Sequence, residues 1–403
     1  METLTQQAPL ANLKVLDFTH YRAGPYCTRL FSGFGARVIK VERPLTGDPL
    51  RHQGPFVDDV PGCERSIPFH WSNAGKQSIA IDLKSPEALE IVSALIRWAD
   101  VIVESFTPGV MKRLGFDYAR CSYISPRVIM TSISNFGQDG PYRDYRASES
   151  TMYAMSGGMI STGDPDRPPL APGPAITQYT AGLHAYIGTL LACLRRANTG
   201  RGEYVDVSVH ESALENIEIH LTEFAQEGRV ARRSGDNHPL VPWRSYSCRD
   251  GYAAIIAGPL RHWHRAAELF EEPKLGAPRL QHMRGRIERR HEVEMLIQPW
   301  LDAHDKQDIY HRGQAMGLAF GYVATLAEVL ASPQHAARSF FVQSDEHPEA
   351  GSLRQCGAPF KFGGGTWNSG RAPLLGEHTK SILVEIAGCS EDEMERLAQR
   401  GVI

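Results

Sequence analysis

Short apolar runs alternate with stretches of helical apolar spacing through the first half of the chain. Residues 13–18 form the first run, and Thr19-His20-Tyr21-Arg22-Ala23-Gly24-Pro25 breaks it. Residues 26–35 have the spacing of a helix, and residues 36–42 are a second run. The pattern continues with a strand over 78–83 and a helix over 85–98, in which Ser85 caps and Pro86 takes the first turn. Further strands are predicted over 99–105, 127–133 and 203–209, with a helix over 180–196. Strands separated by helices predict an α/β fold with a mostly parallel sheet. In such a sheet a ligand lies at the carboxyl ends of the strands, where helix N-termini face anionic groups. The first strand is not followed by GxGxxG, which argues against a nicotinamide cofactor. Residues 137–141 and the Pro-rich 163–174 are loops bordering the expected site.

The pattern changes near Gly228. From there the chain is richer in Arg, His and Trp, with amphipathic helices and brief strands such as 252–257. This predicts a large domain over 1–228, a small one over 229–345, and a return to the large domain over 346–403. Linkers fall at 228–235 and 339–347, and the last helix opens with Glu391, Asp392 and Glu393. A chain of 403 residues has room for two cores. Its net charge of -3 offers no basic field for nucleic acid. The longest mainly apolar stretch, 186–194, is far shorter than the roughly 20 residues that cross a bilayer. The N-terminal METLTQQAPLANLK lacks a basic-then-apolar leader, so a cytoplasmic protein without membrane partners is expected. Seven scattered cysteines, with no CxxC and no zinc-type His spacing, are expected to be free thiols without a metal.

Several motifs then carry a resemblance. They are Val15-Leu16-Asp17-Phe18-Thr19-His20 with Ala23-Gly24-Pro25, residues 38–43 with Gly47-Asp48, residues 73–83, residues 99–115, and Arg371-Ala372-Pro373-Leu374-Leu375-Gly376-Glu377-His378-Thr379. In this order they resemble the family III CoA-transferases, which include formyl-CoA transferase and the carnitine CoA-transferase group. The likeness covers nearly all of residues 10–220 and 355–400. It implies two chains threaded as interlocked rings, each with a Rossmann-like large domain from both chain ends and a smaller middle domain. It also implies transfer of CoA from an acyl-CoA donor to a carboxylic acid, with the CoA thioester as substrate and no permanently bound cofactor. By position in the resembling motifs, Arg43 and Arg113 are expected on phosphate groups and Phe106 on the adenine side. Arg22, where similar enzymes often carry Gln, and Ala23 belong to the turn after the first strand. Arginine suits phosphate because its planar fork donates two parallel hydrogen bonds and stays charged.

In the resembling enzymes an aspartate attacks the thioester, giving a mixed anhydride and free CoA thiolate, and later becomes an aspartyl-CoA thioester. Pro168-Pro169 and Gly182-Leu183-His184 frame that position, and here it is Gln178. A carboxylate can be nucleophile and leaving group in turn. An amide carries no charge, and its nitrogen lone pair is delocalised into the carbonyl. No Asp lies between Ala175 and Ala181. Asp144, Glu149, Asp164 and Asp166 flank the expected site. Glu149 is close to where acyl-CoA racemases of the same superfamily place a His, and it is the candidate base for epimerisation or elimination. Asp164 and Asp166 sit in a Gly/Pro loop and are expected to form turns.

Three functions are therefore set against each other. The first is a subunit without its own nucleophile, paired with an Asp-bearing homologous chain in an interlocked heterodimer or heterotetramer. The second is a homodimeric acyl-CoA epimerase or lyase using Glu149. The third is a non-enzymatic acyl-CoA-binding subunit. Residues 149–159 resemble the nucleophile-lacking chain of the two-subunit members that use succinyl-CoA and benzylsuccinate in anaerobic toluene degradation, which favours the first.

Overall fold

The computed structural model describes residues 8–173, 175–217, 219–362 and 367–403. The first seven residues of the N-terminal segment, and Pro174 at the end of the expected 163–174 loop, lie outside the described residues. The chain divides into two units. One runs to Gly158 and takes up Ala171–Arg229 and Ala336–Ile403; the other comprises Met159–Leu170 and Val230–His335.

The first unit begins with β1 (Lys14–Phe18), α1 (Ala23–Gly33), β2 (Arg37–Glu42), α2 (Ile67–Asn73), β3 (Gln77–Ala80) and α3 (Ala88–Trp98). There follow β4 (Val101–Glu104), α4 (Val110–Arg113), α5 (Tyr118–Ile124), β5 (Ile129–Ser134), α6 (Glu149–Met155), α8 (Ile176–Thr199) and β6 (Tyr204–Ser208); the one-turn α7 (Gly158–Ser161), between α6 and α8, belongs to the second unit from Met159 on. The six strands form one parallel sheet in the order β3-β2-β1-β4-β5-β6. β1, β2, β4 and β5 are buried over nearly their whole length, as expected of strands covered by helices on both faces. Leu16, Phe18, Ile39, Val41, Ile102 and Met130 pack against Ile91, Val92, Leu95 and Ile96 of α3. Val15, Val38, Val101, Val103, Ile129 and Ile133 face Cys27 and Phe31 of α1 and Ala181 and Ala185 of α8. Each such aliphatic side chain contributes about 1.5–3 kcal/mol by leaving water.

Three helix starts differ from the sequence reading. α1 starts at Ala23 rather than at residue 26, because Pro25 falls in the first turn, where no N–H is needed. α3 starts at Ala88, and Ser85 is not its cap: the Ser85 hydroxyl binds the Glu87 carboxylate and accepts the Glu87 N–H at 3.3 Å, closing a turn ahead of the helix. α8 starts at Ile176, four residues before the expected 180, so residue 178 lies inside a helix of 24 residues.

Ionic side chains are buried around the carboxyl ends of β1 to β3. Lys76 meets Asp17 at 3.0 Å, Lys40 meets Asp48 at 2.9 Å, and Arg51 meets Glu42 at 2.8 Å, all with side chains closed to water. The Arg51 guanidinium also binds Glu64 at 2.7 Å and lies 3.7 Å from the Phe69 ring centre. Nearby, His347 is 2% exposed and its Nδ1 accepts the Glu349 N–H at 3.1 Å, so its hydrogen is on Nε2. Burial, then the neighbouring His70, Arg371 and Arg51, push its pKa down to about 4. Since the unfolded imidazole titrates near 6.5, the unfolded chain takes up this proton first. Stability is expected to fall as pH drops from about 6.5 to about 4. His347→Gln is expected to flatten that segment of a plot of denaturant midpoint against pH.

The return of the chain to the first unit adds an antiparallel pair, β10 (Phe341–Gln343) with β11 (Arg354–Cys356), and helices over Thr379–Ile382 and Glu391–Gln399. Ser390 and Glu393 form a capping box at the last helix. Ile382, Leu383, Met394, Leu397 and Val402 complete the core on the α3 face of the sheet.

The second unit holds an antiparallel sheet of β7 (Trp243–Cys248), β8 (Gly251–Ile256) and the short β9 (Gly321–Tyr322). Its own core includes Trp263, Phe270, Val293, Ile297 and Leu301. Among the described residues the buried Arg286 has no carboxylate partner, and it donates to the carbonyl oxygens of Val241, Leu280, Gln281 and Gly258. All seven cysteines are free thiols. Among the described residues no helix is long and apolar enough to cross a membrane, and no His, Cys, Asp and Glu group could hold a metal.

Candidate acyl-CoA site

Strand order reverses between β1 and β4, and at such a switch point the chains leave the sheet on opposite sides and open a crevice at the strands' carboxyl ends. A cavity of about 630 Å³ lies there. His20 and Tyr21 after β1, Ser105-Phe106-Thr107-Pro108 after β4, and Ser134-Asn135 at the end of β5 line it. The β1 turn has no glycine-rich loop, and side chains hold its backbone instead. The Thr19 N–H donates to Asp17 Oδ1 at 2.8 Å, and the Thr19 carbonyl accepts from Lys40 Nζ at 2.7 Å. The His20 N–H donates to Ser105 Oγ at 2.9 Å, and the Tyr21 N–H donates to Asp48 Oδ1 at 3.0 Å. Tyr21 is thereby held at φ 64°, in the left-handed region that favours glycine. The His20 ring meets Phe106 edge to face, 5.2 Å between centres. Burial, then the positive Lys40, lower the His20 pKa, so the ring stays neutral at pH 7.

Gln178 lines the same cavity from the first turn of α8. Two features fix that turn. Glu149, at the start of α6, accepts the Thr177 N–H at 2.8 Å with one carboxylate oxygen and the Thr177 hydroxyl with the other. A carboxylate on an N-terminal helix N–H also suits the positive end of the helix. Gly182, one turn further on, lets α8 approach α1, since a Cβ there would collide with the carbonyl oxygen of Ala23. Glu149 thus adjoins Gln178 through Thr177 but does not itself line the cavity.

The other residues picked from the sequence divide. Ala23 and Phe106 line the cavity. Arg22 lies at the N-cap of α1, its guanidinium 3.5 Å from the Gln53 side-chain oxygen. Arg43 follows β2 and Arg113 ends α4; both are exposed on the surface and line no part of the cavity. Asp144 lines the cavity, whereas Asp164 and Asp166 belong to the second unit, where the Asp164 carbonyl accepts from Arg233 at 3.0 Å. The segment from Arg143 through Ala147 contributes two cations, Arg143 and Arg146, that motif reading did not single out. Their signal was the basic, Tyr-rich stretch between the Gly137-Gln138-Asp139-Gly140-Pro141 loop and α6.

Glu104, the last residue of β4, was also missed. It is 3% exposed, accepts the Phe106 N–H at 2.8 Å, and lines a second cavity of about 380 Å³ that shares Thr107 and Arg143 with the first. Burial pushes its pKa up to about 7. The arrangement can hold an anionic, partly aromatic ligand against side chains that are neutral or cationic apart from Asp144, and presents an amide at residue 178.

The family model described as CoA-transferase family III matches residues 10–379. The formyl-CoA:oxalate CoA-transferase of Streptomyces avermitilis is 33% identical over 416 residues, covering 98% of this chain and 99% of that protein. The succinyl-CoA–D-citramalate CoA-transferase of Chloroflexus aurantiacus is 32% identical over 402 residues, covering 98% of each chain. The crystal structure of a CaiB/BaiF family protein from Brucella suis superposes with a TM-score of 0.85 at 30% identity, covering 94% of this chain and all of that one.

Proposed function

The chain belongs to CoA-transferase family III, whose members use CoA thioesters without a permanent cofactor, and from that premise we propose that it is the non-nucleophilic subunit of a two-subunit CoA-transferase. The observation that carries this reading is Gln178, an amide in the first turn of α8 lining the cavity at the switch point. In the exchange, the catalytic carboxylate of an Asp-bearing homologous chain attacks the acyl-CoA carbonyl, giving a mixed anhydride and CoA thiolate. The thiolate attacks the anhydride at the aspartyl carbonyl, releasing the donor acid and leaving an aspartyl-CoA thioester. The acceptor carboxylate attacks that thioester, expelling the thiolate and forming a second mixed anhydride, and the thiolate then attacks the acceptor's carbonyl, giving the new acyl-CoA and regenerating the aspartate. Gln178 cannot enter this cycle, because it has no ionised oxygen to attack or leave.

This chain's own residues bind and orient. Arg22 and Ala23, in the turn after β1, border the thioester arm and Phe106 takes the adenine side, while Arg43 and Arg113, at the surface after β2 and at the end of α4, meet phosphate groups. Succinyl-CoA as donor and benzylsuccinate as acceptor are the substrates this reading favours. Glu149 acts here as a cap on α8, with its carboxylate oxygens on Thr177, which counts against the epimerase or lyase reading. In the test, the purified chain is incubated with succinyl-CoA and benzylsuccinate, alone and with a co-expressed Asp-bearing homologue. Transfer is expected only in the mixture. Transfer by the chain alone would remove the silent-subunit reading, α-proton exchange in deuterated water would favour Glu149 as a base, and binding without turnover in both samples would leave a non-enzymatic subunit.

A further inference from the structure

Among the described residues that line the cavity, Tyr21 is the non-glycine held at positive φ. A β-carbon at positive φ crowds the backbone, and a bulky side chain holds that conformation only where its surroundings impose it. Here they do: the Tyr21 N–H is tied to Asp48 Oδ1 at 3.0 Å, and Asp48 is itself fixed by the Leu50 N–H at 2.9 Å and by Lys40 at 2.9 Å. Asp48 and Lys40 are both closed to water, and Lys40 also holds the Thr19 carbonyl. The backbone is therefore clamped on both sides of His20. Yet the side chain that this clamp turns out is not packed away: Tyr21 is 51% exposed and lines the 630 Å³ cavity. A glycine would satisfy the backbone at no strain. What tyrosine adds is a ring.

That ring has company. His20 and Tyr145 line the same cavity, with Ile133 and Val209, and Phe106 lies against His20. His20 and Phe106 meet edge to face, and Tyr145 stacks on Tyr142 at 5.0 Å, which fixes these faces. Rings held in this way favour a flat, apolar acyl group over a short one, because aromatic pairs add attraction beyond the area they bury.

We propose that Tyr21 is a specificity-determining residue, held in its strained backbone by the buried Asp48–Lys40 pair, that selects thioesters with a ring-bearing acyl group. The inference rests on the reading that this cavity holds the acyl end of the thioester. Binding of CoA, acetyl-CoA and benzoyl-CoA to the full chain is measured calorimetrically for wild type, Tyr21→Ala and Tyr21→Gly, together with thermal midpoints. Wild type is expected to prefer benzoyl-CoA over acetyl-CoA by about tenfold, and both variants are expected to bring that ratio near one while changing CoA affinity by less than about twofold. Tyr21→Gly is also expected to raise the thermal midpoint, since it relieves strain; a purely structural tyrosine gives the opposite sign.

The inference is overturned if all three ligands weaken together, if the benzoyl preference survives both variants, or if Tyr21→Gly destabilises. A wild-type chain that binds CoA but shows no acyl preference also overturns it, with the parent reading intact. A wild-type chain that binds none of the three removes the parent reading and this inference with it.

Discussion

Gln178→Asp is expected to fold, to keep CoA binding, and to give the chain transfer activity in the absence of any second subunit. The residue is half-buried in the first turn of α8, where the unpaired N–H groups and the helix dipole favour a negative side chain. Glu149 stands against this, since its carboxylate is already on Thr177 and repels a second charge nearby. The helix end and the cavity's arginines favour ionisation, so the net stability change is expected within about 1 kcal/mol. Losing an enzyme nucleophile costs on the order of 10⁶ in kcat, so even an imperfectly placed carboxylate is expected to lift transfer by about 10²-fold over the lone wild-type chain. The rise is read as benzylsuccinyl-CoA formed from succinyl-CoA. A variant that binds CoA as wild type does, yet transfers nothing, would show that residue 178 does not face the thioester carbon.

The largest loss of stability is expected from Asp17→Asn. Asp17 accepts from the Thr19 N–H and hydroxyl with one oxygen, and from Thr28 and Lys76 with the other. Its charge sits among Lys76 and Lys40, all closed to water, and these cations together with the Thr19 and Thr28 hydroxyls hold its pKa well below the usual carboxylate range despite burial. Removing one partner of a buried ion pair leaves the other charge uncompensated and costs about 3–5 kcal/mol. The cost appears as a lower urea midpoint. Asp17→Asn with Lys76→Met is expected to recover much of it, because both charges then leave together. If the single variant unfolds with the wild-type midpoint, water must reach the site and the buried network is not what the geometry indicates. The wild-type contribution is present above the unfolded carboxylate's pKa near 3.9 and is lost as pH falls below it towards the lower folded value.

The parallel sheet was legible because β1, β2, β4 and β5 are continuous apolar runs, a pattern that burial on both faces imposes. Gln178 was legible through the motifs on either side of it, and its helix was not: the apolar spacing of 180–196 is clear, whereas Ile176-Thr177-Gln178-Tyr179 carries no pattern and is made helical by Glu149 and the contact with α1. The buried ions were the larger miss. Lys40, Asp48, Arg51 and Lys76 look like surface charges in a sequence, and their burial depends on partners as distant as Pro373, whose carbonyl accepts from Arg51 at 3.1 Å. Arginine in a motif likewise does not announce its depth. All four of Arg43, Arg113, Arg143 and Arg146 are exposed, and only Arg143 and Arg146, from a loop without periodicity, line the cavity.

Helix Glu391–Gln399 and Val402 fill the same hydrophobic core as β1 and α3, and the Val402 carbonyl takes the Asp82 N–H at 2.7 Å. During synthesis, the α3 face of the sheet must therefore wait for the entire second unit to leave the ribosome. At roughly 5–20 residues per second that delay is on the order of ten seconds. Over that interval the nascent sheet carries an uncovered apolar surface, and a chaperone is well placed to shield it until translation delivers the last helix.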